Sequence, residues 1–286
     1  MTVDDATSTR GEAALPDPNF DIELDLLMEA IYRKYHHDFR GYAVSSMKRR
    51  LRHALTKLGC GTLSRLQERI LREPEIFREL LSLLTIQVSE MFRDPDFFRT
   101  IRSEVVPVLA TYPSLKIWIA GCSMGEEVYS YAILLREEGL LERTIIYATD
   151  IDPDALRAAE AGVYPLDRLA GFSEAYLAAG GRGSLADYYS VAYDSAVFDS
   201  SLRKDIVFAD HSLATDGVFG EMQLVSCRNV LIYFDRELQD RAVALFRDSL
   251  CRKGFLALGS RETLEFSRHT ADFALFSRPQ KIYRRE

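Results

Sequence analysis

The stretch that most constrains this 286-residue chain is a short apolar run that ends in glycine and turns into a helix. Leu115-Lys116-Ile117-Trp118-Ile119-Ala120 reads as a buried strand, Gly121-Cys122-Ser123-Met124-Gly125 as a turn, and Glu126 to Glu138 as helical. A strand delivered through glycines into a helix belongs to an open α/β sheet, where ligands bind beside the carboxyl ends of the strands. The chain keeps that rhythm after Pro107. Thr144 to Ala148 is a second strand, followed by an alanine-rich helix opened by Pro153. Ile206 to Phe208, Met222 to Val225 and Gly254 to Leu258 have the composition of buried strands, and a long helix spans Arg236 to Leu250. Short apolar strands alternating with helices predict an α/β domain with a mainly parallel sheet. Phe273 to Phe276 and Lys281 to Tyr283 are placed to close it as a hairpin.

Upstream the period changes. Leu24, Leu27, Met28 and Ile31 form a helical stripe, as do Met47, Leu51, Ala54, Leu55 and Leu58, which end at Gly59. Leu63, Leu66 and Ile70 form a third stripe, and Ile76, Leu80, Leu81 and Leu84 a fourth. Spacings of three and four put each set on one helix face, so 20–90 reads as a small all-α domain and 91–286 as the α/β domain. Residues 1–19 are acidic and polar without an apolar core stretch, a flexible leader rather than a secretory signal. Residues 172–203 break the α/β rhythm with Gly180-Gly181-Arg182-Gly183 and an aromatic run from Tyr188 and Tyr189 to Tyr193. That composition predicts a small inserted β-subdomain, of the kind that serves recognition.

Several function classes fall away. A formal charge of −7 argues against a general nucleic-acid binder. No apolar run reaches the roughly 18–20 residues of a membrane span, so direct membrane insertion is not expected. Cys60, Cys122, Cys227 and Cys251 are scattered without metal-ligand spacing, which predicts no metal site and no disulfide framework and fits a reducing cytoplasm.

What the glycine turn holds follows from its charge. A phosphate would want a lysine as in GxxxxGK, and a dinucleotide GxGxxG; neither is present. Glu126 and Glu127 in the first helical turn would repel phosphate but suit a cationic or hydroxyl-rich ligand, such as the sulfonium and ribose of S-adenosylmethionine. Asp150, at the tip of the second strand and 25 positions after Gly125, is placed to take ribose hydroxyls, while Asp152 before Pro153 is the better helix cap. The turn also matches G-x-S-x-G, which would make Ser123 a hydrolase nucleophile. Against that, only His211 and His269 lie downstream, and no glycine-rich oxyanion loop precedes the first strand.

With these motifs in place the chain resembles the chemotaxis receptor methyltransferases, the CheR family, from about Phe20 to Tyr283. The likeness rests on Val88-Ser89-Glu90-Met91-Phe92-Arg93-Asp94, Gly121 to Ser130, Ala148-Thr149-Asp150-Ile151-Asp152, and Cys227-Arg228-Asn229-Val230-Leu231-Ile232-Tyr233-Phe234-Asp235. It implies a class I, Rossmann-like methyltransferase domain with an all-α N-terminal domain and an inserted β-subdomain. The implied activity is transfer of a methyl group from S-adenosylmethionine to glutamates of a chemoreceptor's cytoplasmic signalling domain, leaving S-adenosylhomocysteine.

The resemblance also implies residue roles. Glu126 would approach the methionine end of the cofactor, Asp150 the ribose, and Ser212 and Leu213 the adenine. Gln87, Ser89, Arg93, Gly121, Cys122, Arg228 and Asn229 would complete the cofactor wall. Arg93 and Tyr233 would act at the methyl and the incoming carboxylate. Departures are Ser212, where the family commonly has Asn, and Ser89 and Met91, where it often has Thr and Phe. No general base is needed, because a glutamate carboxylate already carries the attacking charge and catalysis rests on alignment and desolvation.

Two surfaces are candidates for the substrate protein. Lys48, Arg49 and Arg52 lie in a helical segment without acids, with Arg49, Arg52 and His53 on one face. Tyr188 and Tyr189 lie in the insertion, whose length favours an enzyme independent of a receptor tether. A monomer is expected. A non-catalytic adaptor of the same fold is the remaining alternative to an enzyme.

Overall fold

The computed structural model describes residues 18–286, so the 1–19 leader lies almost wholly outside the described residues. Four helices come first: α1 (Phe20–Tyr35), α2 (Val44–Lys57), α3 (Leu63–Arg72) and α4 (Pro74–Leu84). Their stripes meet in one core in which Leu27, Ile31, Leu51, Leu63, Leu66, Ile70, Leu80 and Leu84 are fully buried. Local chemistry sets the ends: Thr62 caps α3 by accepting from the Arg65 amide, and Pro74 opens α4 where its missing N–H costs nothing.

The α/β domain begins with α5 (Pro95–Thr100), which runs through a π-helical turn at Ile101–Val105 into α6 (Val106–Leu109). Then follow β1 (Leu115–Ala120), α7 (Glu126–Glu137), β2 (Thr144–Asp150), α8 (Pro153–Ala161), β3 (Val163–Pro165), α9 (Leu169–Ala178), β4 (Tyr189–Ala192) and β5 (Ser195–Phe198). The chain closes with β6 (Ile206–Asp210), β7 (Met222–Cys227), α10 (Arg236–Ser249), β8 (Leu250–Leu258), β9 (Phe273–Ser277) and β10 (Ile282–Arg285).

Seven strands form the main sheet in the order β6-β2-β1-β7-β8-β10-β9. The first five are mutually parallel, and β10 enters antiparallel between β8 and β9 as the closing hairpin. The order reverses at β1, between β2 and β7, so the crevice falls at the tip of β1 as the glycine turn requires. Helices cover both faces, which is why β1 is buried at every position but Lys116 and carries no alternation. Trp118, the one tryptophan, is fully buried and donates from Nε1 to Thr149 Oγ1 at 2.8 Å, tying β1 to β2.

The small sheet has the order β3-β5-β4, and its third strand comes from Val163–Pro165, upstream of 172–203. A cluster of charges at the end of α7 joins the loop before β4 to the π-helical turn. Arg102 reaches Glu137 and Glu138, both at 2.6 Å, and Arg182 reaches Glu138 at 2.8 Å. The helical domain is seated on the crevice. Ala43 N donates to Tyr233 O and Asp235 N to Gly41 O, both at 2.8 Å, while Thr85 Oγ1 donates to Asp152 Oδ2 at 3.0 Å.

Candidate active site

The tip of β1 is built by two glycines with no room for a side chain. Gly121 has φ +72°, and a Cβ there would lie 2.5 Å from Val230 Cγ2. Gly125 has φ +93°, and its Cβ would lie 2.9 Å from Ala159 Cβ. Between them the Gly121 and Cys122 amides donate to Thr149 O. The turn therefore hugs β2 and leaves a cavity of about 340 Å³ at the sheet tip, within the size range of small-molecule sites.

Asp150 sits on the cavity floor, 8% exposed. Its Oδ2 accepts from the Ser123 amide at 2.8 Å and its Oδ1 from the Asp152 amide at 3.0 Å. Burial pushes its pKa up to about 6, against the lowering effect of those amides. Asp152 is the α8 cap, its Oδ1 accepting from the Asp154 and Ala155 amides. The two acids thus divide as the sequence suggests, one as cap and one in the crevice.

Arg93 stands on a strained turn. Phe92 and Asp94, on either side of it, have φ +51° and +57°, left-handed values that non-glycine residues adopt at a cost. The turn is pinned by the Phe92 amide donating to Ser130 Oγ at 2.8 Å and by Arg228. The Arg228 side chain is 1% exposed and spans Asp94 at 2.7 Å and Glu127 at 3.1 Å, its guanidinium 3.9 Å from the Phe97 ring centre. Arg99 holds Asp96. With both neighbouring acids engaged, the Arg93 guanidinium makes no ion pair among the described residues and lines the cavity.

The opposite wall is the loop after β7. Asn229 has φ +62°, and its amide donates to Glu262 Oε2 at 3.0 Å, which also accepts from Gly259 N at 2.6 Å; Ile232 N donates to Glu262 Oε1 at 3.3 Å. Glu262 is buried with no cation among these partners, and the backbone dipoles of the loop and of the β8 tip stand in for one. Tyr233 follows, with the Arg50 guanidinium 4.4 Å above its ring.

The structure brings Gln87, Ser89, Arg93, Gly121, Cys122, Asp150, Leu213, Arg228, Asn229 and Tyr233 together around one cavity. Two expected residues are displaced. Glu126 is buried behind the turn, held by Arg168 at 2.7 Å, and does not line the cavity; Glu127 does. One residue along a helix rotates a side chain by about 100°, and α7 is buried nearly all round, so no apolar stripe fixed its phase. Ser212 is likewise turned away, its amide donating to Asp216 and its Oγ accepting from Ala214 N, while its neighbours His211 and Leu213 line the cavity. Tyr188 and Tyr189 are half-buried, each with an internal partner. Tyr188 donates to Glu137 at 3.1 Å and Tyr189 packs on Phe198, and the exposed apolar side chains there are Val191 and Tyr193. On α2, Arg49 and Arg52 are exposed and Lys48 pairs with Asp21 at 2.6 Å.

Arg50, within that same basic run, points the other way. It is 6% exposed, its Nη1 donates to Leu84 O, and it lines the cavity. The apolar period of α2 carried the signal, since Arg50 lies beside Leu51 and three residues after Met47, both buried. Ser123 is no hydrolase nucleophile by its contacts. Its Oγ donates to Gln87 Oε1, His211 Nε2 faces Gly217 O, and His269 Nδ1 faces Asp272 and Arg247. Burial pushes the Cys122 and Cys227 thiols well up, so they are packing groups.

A reversed-order parallel sheet with an antiparallel penultimate strand, a glycine turn and an acid-lined crevice define a class I, S-adenosylmethionine-dependent methyltransferase. Family models agree. Residues 87–282 match the CheR methyltransferase SAM-binding domain and residues 22–85 the CheR methyltransferase all-alpha domain. The chain belongs to the CheR methyltransferase family. It is 60% identical to a Pseudomonas putida protein named as the methyltransferase Cher3, over 93% of this chain and 98% of that one. It is 31% identical to a Listeria innocua chemotaxis protein methyltransferase, over 85% and 92% of the two chains. A Pseudomonas aeruginosa relative named chemotaxis protein methyltransferase 2 is 30% identical over 77% and 79%. No described helix is long and apolar enough to cross a membrane.

The residues present fit the cofactor. Two carboxylates, Glu127 and Asp150, face the same cavity as three arginines, Arg50, Arg93 and Arg228. The carboxylates complement an ammonium, a sulfonium and ribose hydroxyls, and the arginines complement the carboxylate at the cofactor's methionine end.

Proposed function

We propose that the chain esterifies glutamate side chains on the signalling domain of a chemoreceptor, working in the cytoplasm. The observation that carries this reading is the Arg93 guanidinium, which makes no ion pair among the described residues, at a cavity that also holds Glu127 and Asp150. An arginine there suits a carboxylate, either that of the cofactor's methionine part or that of an arriving acceptor. An arriving acceptor meets a planar donor fork with no acid among the described residues ion-paired to it.

S-adenosylmethionine, when bound, supplies a methyl group activated on sulfur. Glu127 and Asp150 would hold its methionine and ribose parts, with Gln87, Ser89, Gly121, Cys122, Leu213 and Asn229 completing the wall. Arg93 orients the acceptor carboxylate, and Tyr233 and Arg50 form the adjoining wall. No proton has to be removed from an ionised carboxylate, so the protein's part is to align the acceptor, exclude water and keep opposing charges off it. The exposed Arg49 and Arg52 on α2 would gather an acidic receptor surface beside the mouth.

The test is transfer of labelled methyl to a chemoreceptor cytoplasmic fragment, followed by mild alkali. Release of the label as volatile methanol is expected of a glutamate ester. A base-stable label would refute the acceptor assignment.

A further inference from the structure

We propose that a second groove, on the far side of the Asn229–Phe234 loop from the cofactor cavity, receives a side chain from the helix of the methyl-accepting protein next to its target glutamate. The inference rests on the preceding reading that a protein glutamate is the acceptor. The groove, about 140 Å³, lies between the start of α10 and the segment after β8. Ile232 lines both it and the cofactor cavity, so the two are separated by one loop.

The groove's surface suits an acidic amphipathic helix. Phe266 is 69% exposed and Ile232 38%, giving two apolar contacts at the rim. Arg261 is exposed and makes no ion pair among the described residues. Arg236 donates to Phe266 O at 3.1 Å and has no carboxylate partner there either. The acids lining the groove are already engaged. Asp240 accepts from the Arg268 amide and ion-pairs with its guanidinium, and Glu262 is buried under the loop amides. The groove therefore offers two arginines beside an apolar rim, the complement of a helix that carries carboxylates a turn away from the one to be methylated. One helical turn advances about 5.4 Å, so such a carboxylate stays within reach of a neighbouring patch.

The test uses Arg261→Glu and Phe266→Asp in the full chain. Both side chains are exposed and neither lines the cofactor cavity. Initial rates of methyl transfer to a cytoplasmic fragment of a Pseudomonas putida chemoreceptor are measured alongside affinity for S-adenosylhomocysteine. The expected result for each variant is a KM for the fragment raised on the order of tenfold, with kcat and cofactor affinity unchanged. An unchanged KM in both variants overturns the proposal. So does a Phe266→Asp effect confined to sedimentation of the enzyme alone, which would mean that the patch covers a second copy. No transfer by the wild-type enzyme, with S-adenosylhomocysteine still bound, would instead remove the glutamate assignment on which the groove depends.

Discussion

Arg228 Nη2 lies 2.7 Å from Asp94 Oδ2, and this contact removes from Arg93 the acid next to it in sequence. The same guanidinium holds Glu127 through Nη1, so one buried cation sets both the charge on the cavity wall and the freedom of Arg93 from a neighbouring acid. The two arginines therefore predict different losses. Arg93→Ala should lower receptor methylation by about 10²-fold through misplacement of the acceptor, with S-adenosylhomocysteine affinity changed only a few-fold. Arg228→Ala breaks a buried pair and should cost about 3–5 kcal/mol of stability, read from thermal unfolding. Equal Tm values for Arg228→Ala and wild type would show that the hub is dispensable.

Glu126 and Glu127 separate in the same way. Glu127→Gln should weaken S-adenosylhomocysteine binding by about tenfold or more, since the cavity loses one of its two carboxylates. Glu126→Gln should leave cofactor affinity within a few-fold and lower the melting temperature, because Arg168 loses its partner behind the turn. Calorimetric titration of both variants checks this, and the reverse ordering would put the methionine end at Glu126.

How far the sequence could be read shows in those two residues. The strand and helix order, the closing hairpin and the four-helix domain were legible because apolar period and glycine placement are local signals. The division of labour between Asp150 and Asp152 was legible for the same reason, since Pro153 marks the helix start. Which of two adjacent glutamates faces the crevice was not, because α7 is buried on nearly every side and its periodicity carries no phase. Glu262 went unnoticed because its role lies in backbone amides contributed by a loop some 30 positions earlier. Nothing in the spacing of side chains encodes that contact.

Asp150 gives the site a pH dependence. In the proposed role the ionised carboxylate would accept ribose hydroxyls, and its protonated form would lose accepting capacity. With a pKa pushed up to about 6 in the ligand-free protein, the ionised fraction falls as pH drops through that value. Affinity for S-adenosylhomocysteine should be flat above pH 7 and weaken by about tenfold near pH 5. Asp150→Asn should bind weakly and lack this limb, as followed by titration across pH 5 to 8. A wild-type profile flat down to pH 5 would mean that ribose recognition does not depend on this ionisation.

The α2 surface predicts a defect of rate without a defect of cofactor binding. Arg49 and Arg52 are exposed on the helix that turns Arg50 inward to Tyr233, so an acidic surface gathered by the outer pair would arrive beside the mouth of the cavity. Exposed charges of this kind act mainly on encounter and are screened over about 8 Å at physiological salt. Arg49→Glu combined with Arg52→Glu should therefore slow receptor methylation several-fold to tenfold at low salt, with the gap to wild type closing as salt is raised. S-adenosylhomocysteine affinity and melting temperature should stay at wild-type values, because neither side chain lines the cavity or the helical core. A parallel loss of cofactor affinity would show that reversing these charges disturbs Arg50 and the seating of α2. Their role would then be in holding the domain in place rather than in collecting the receptor.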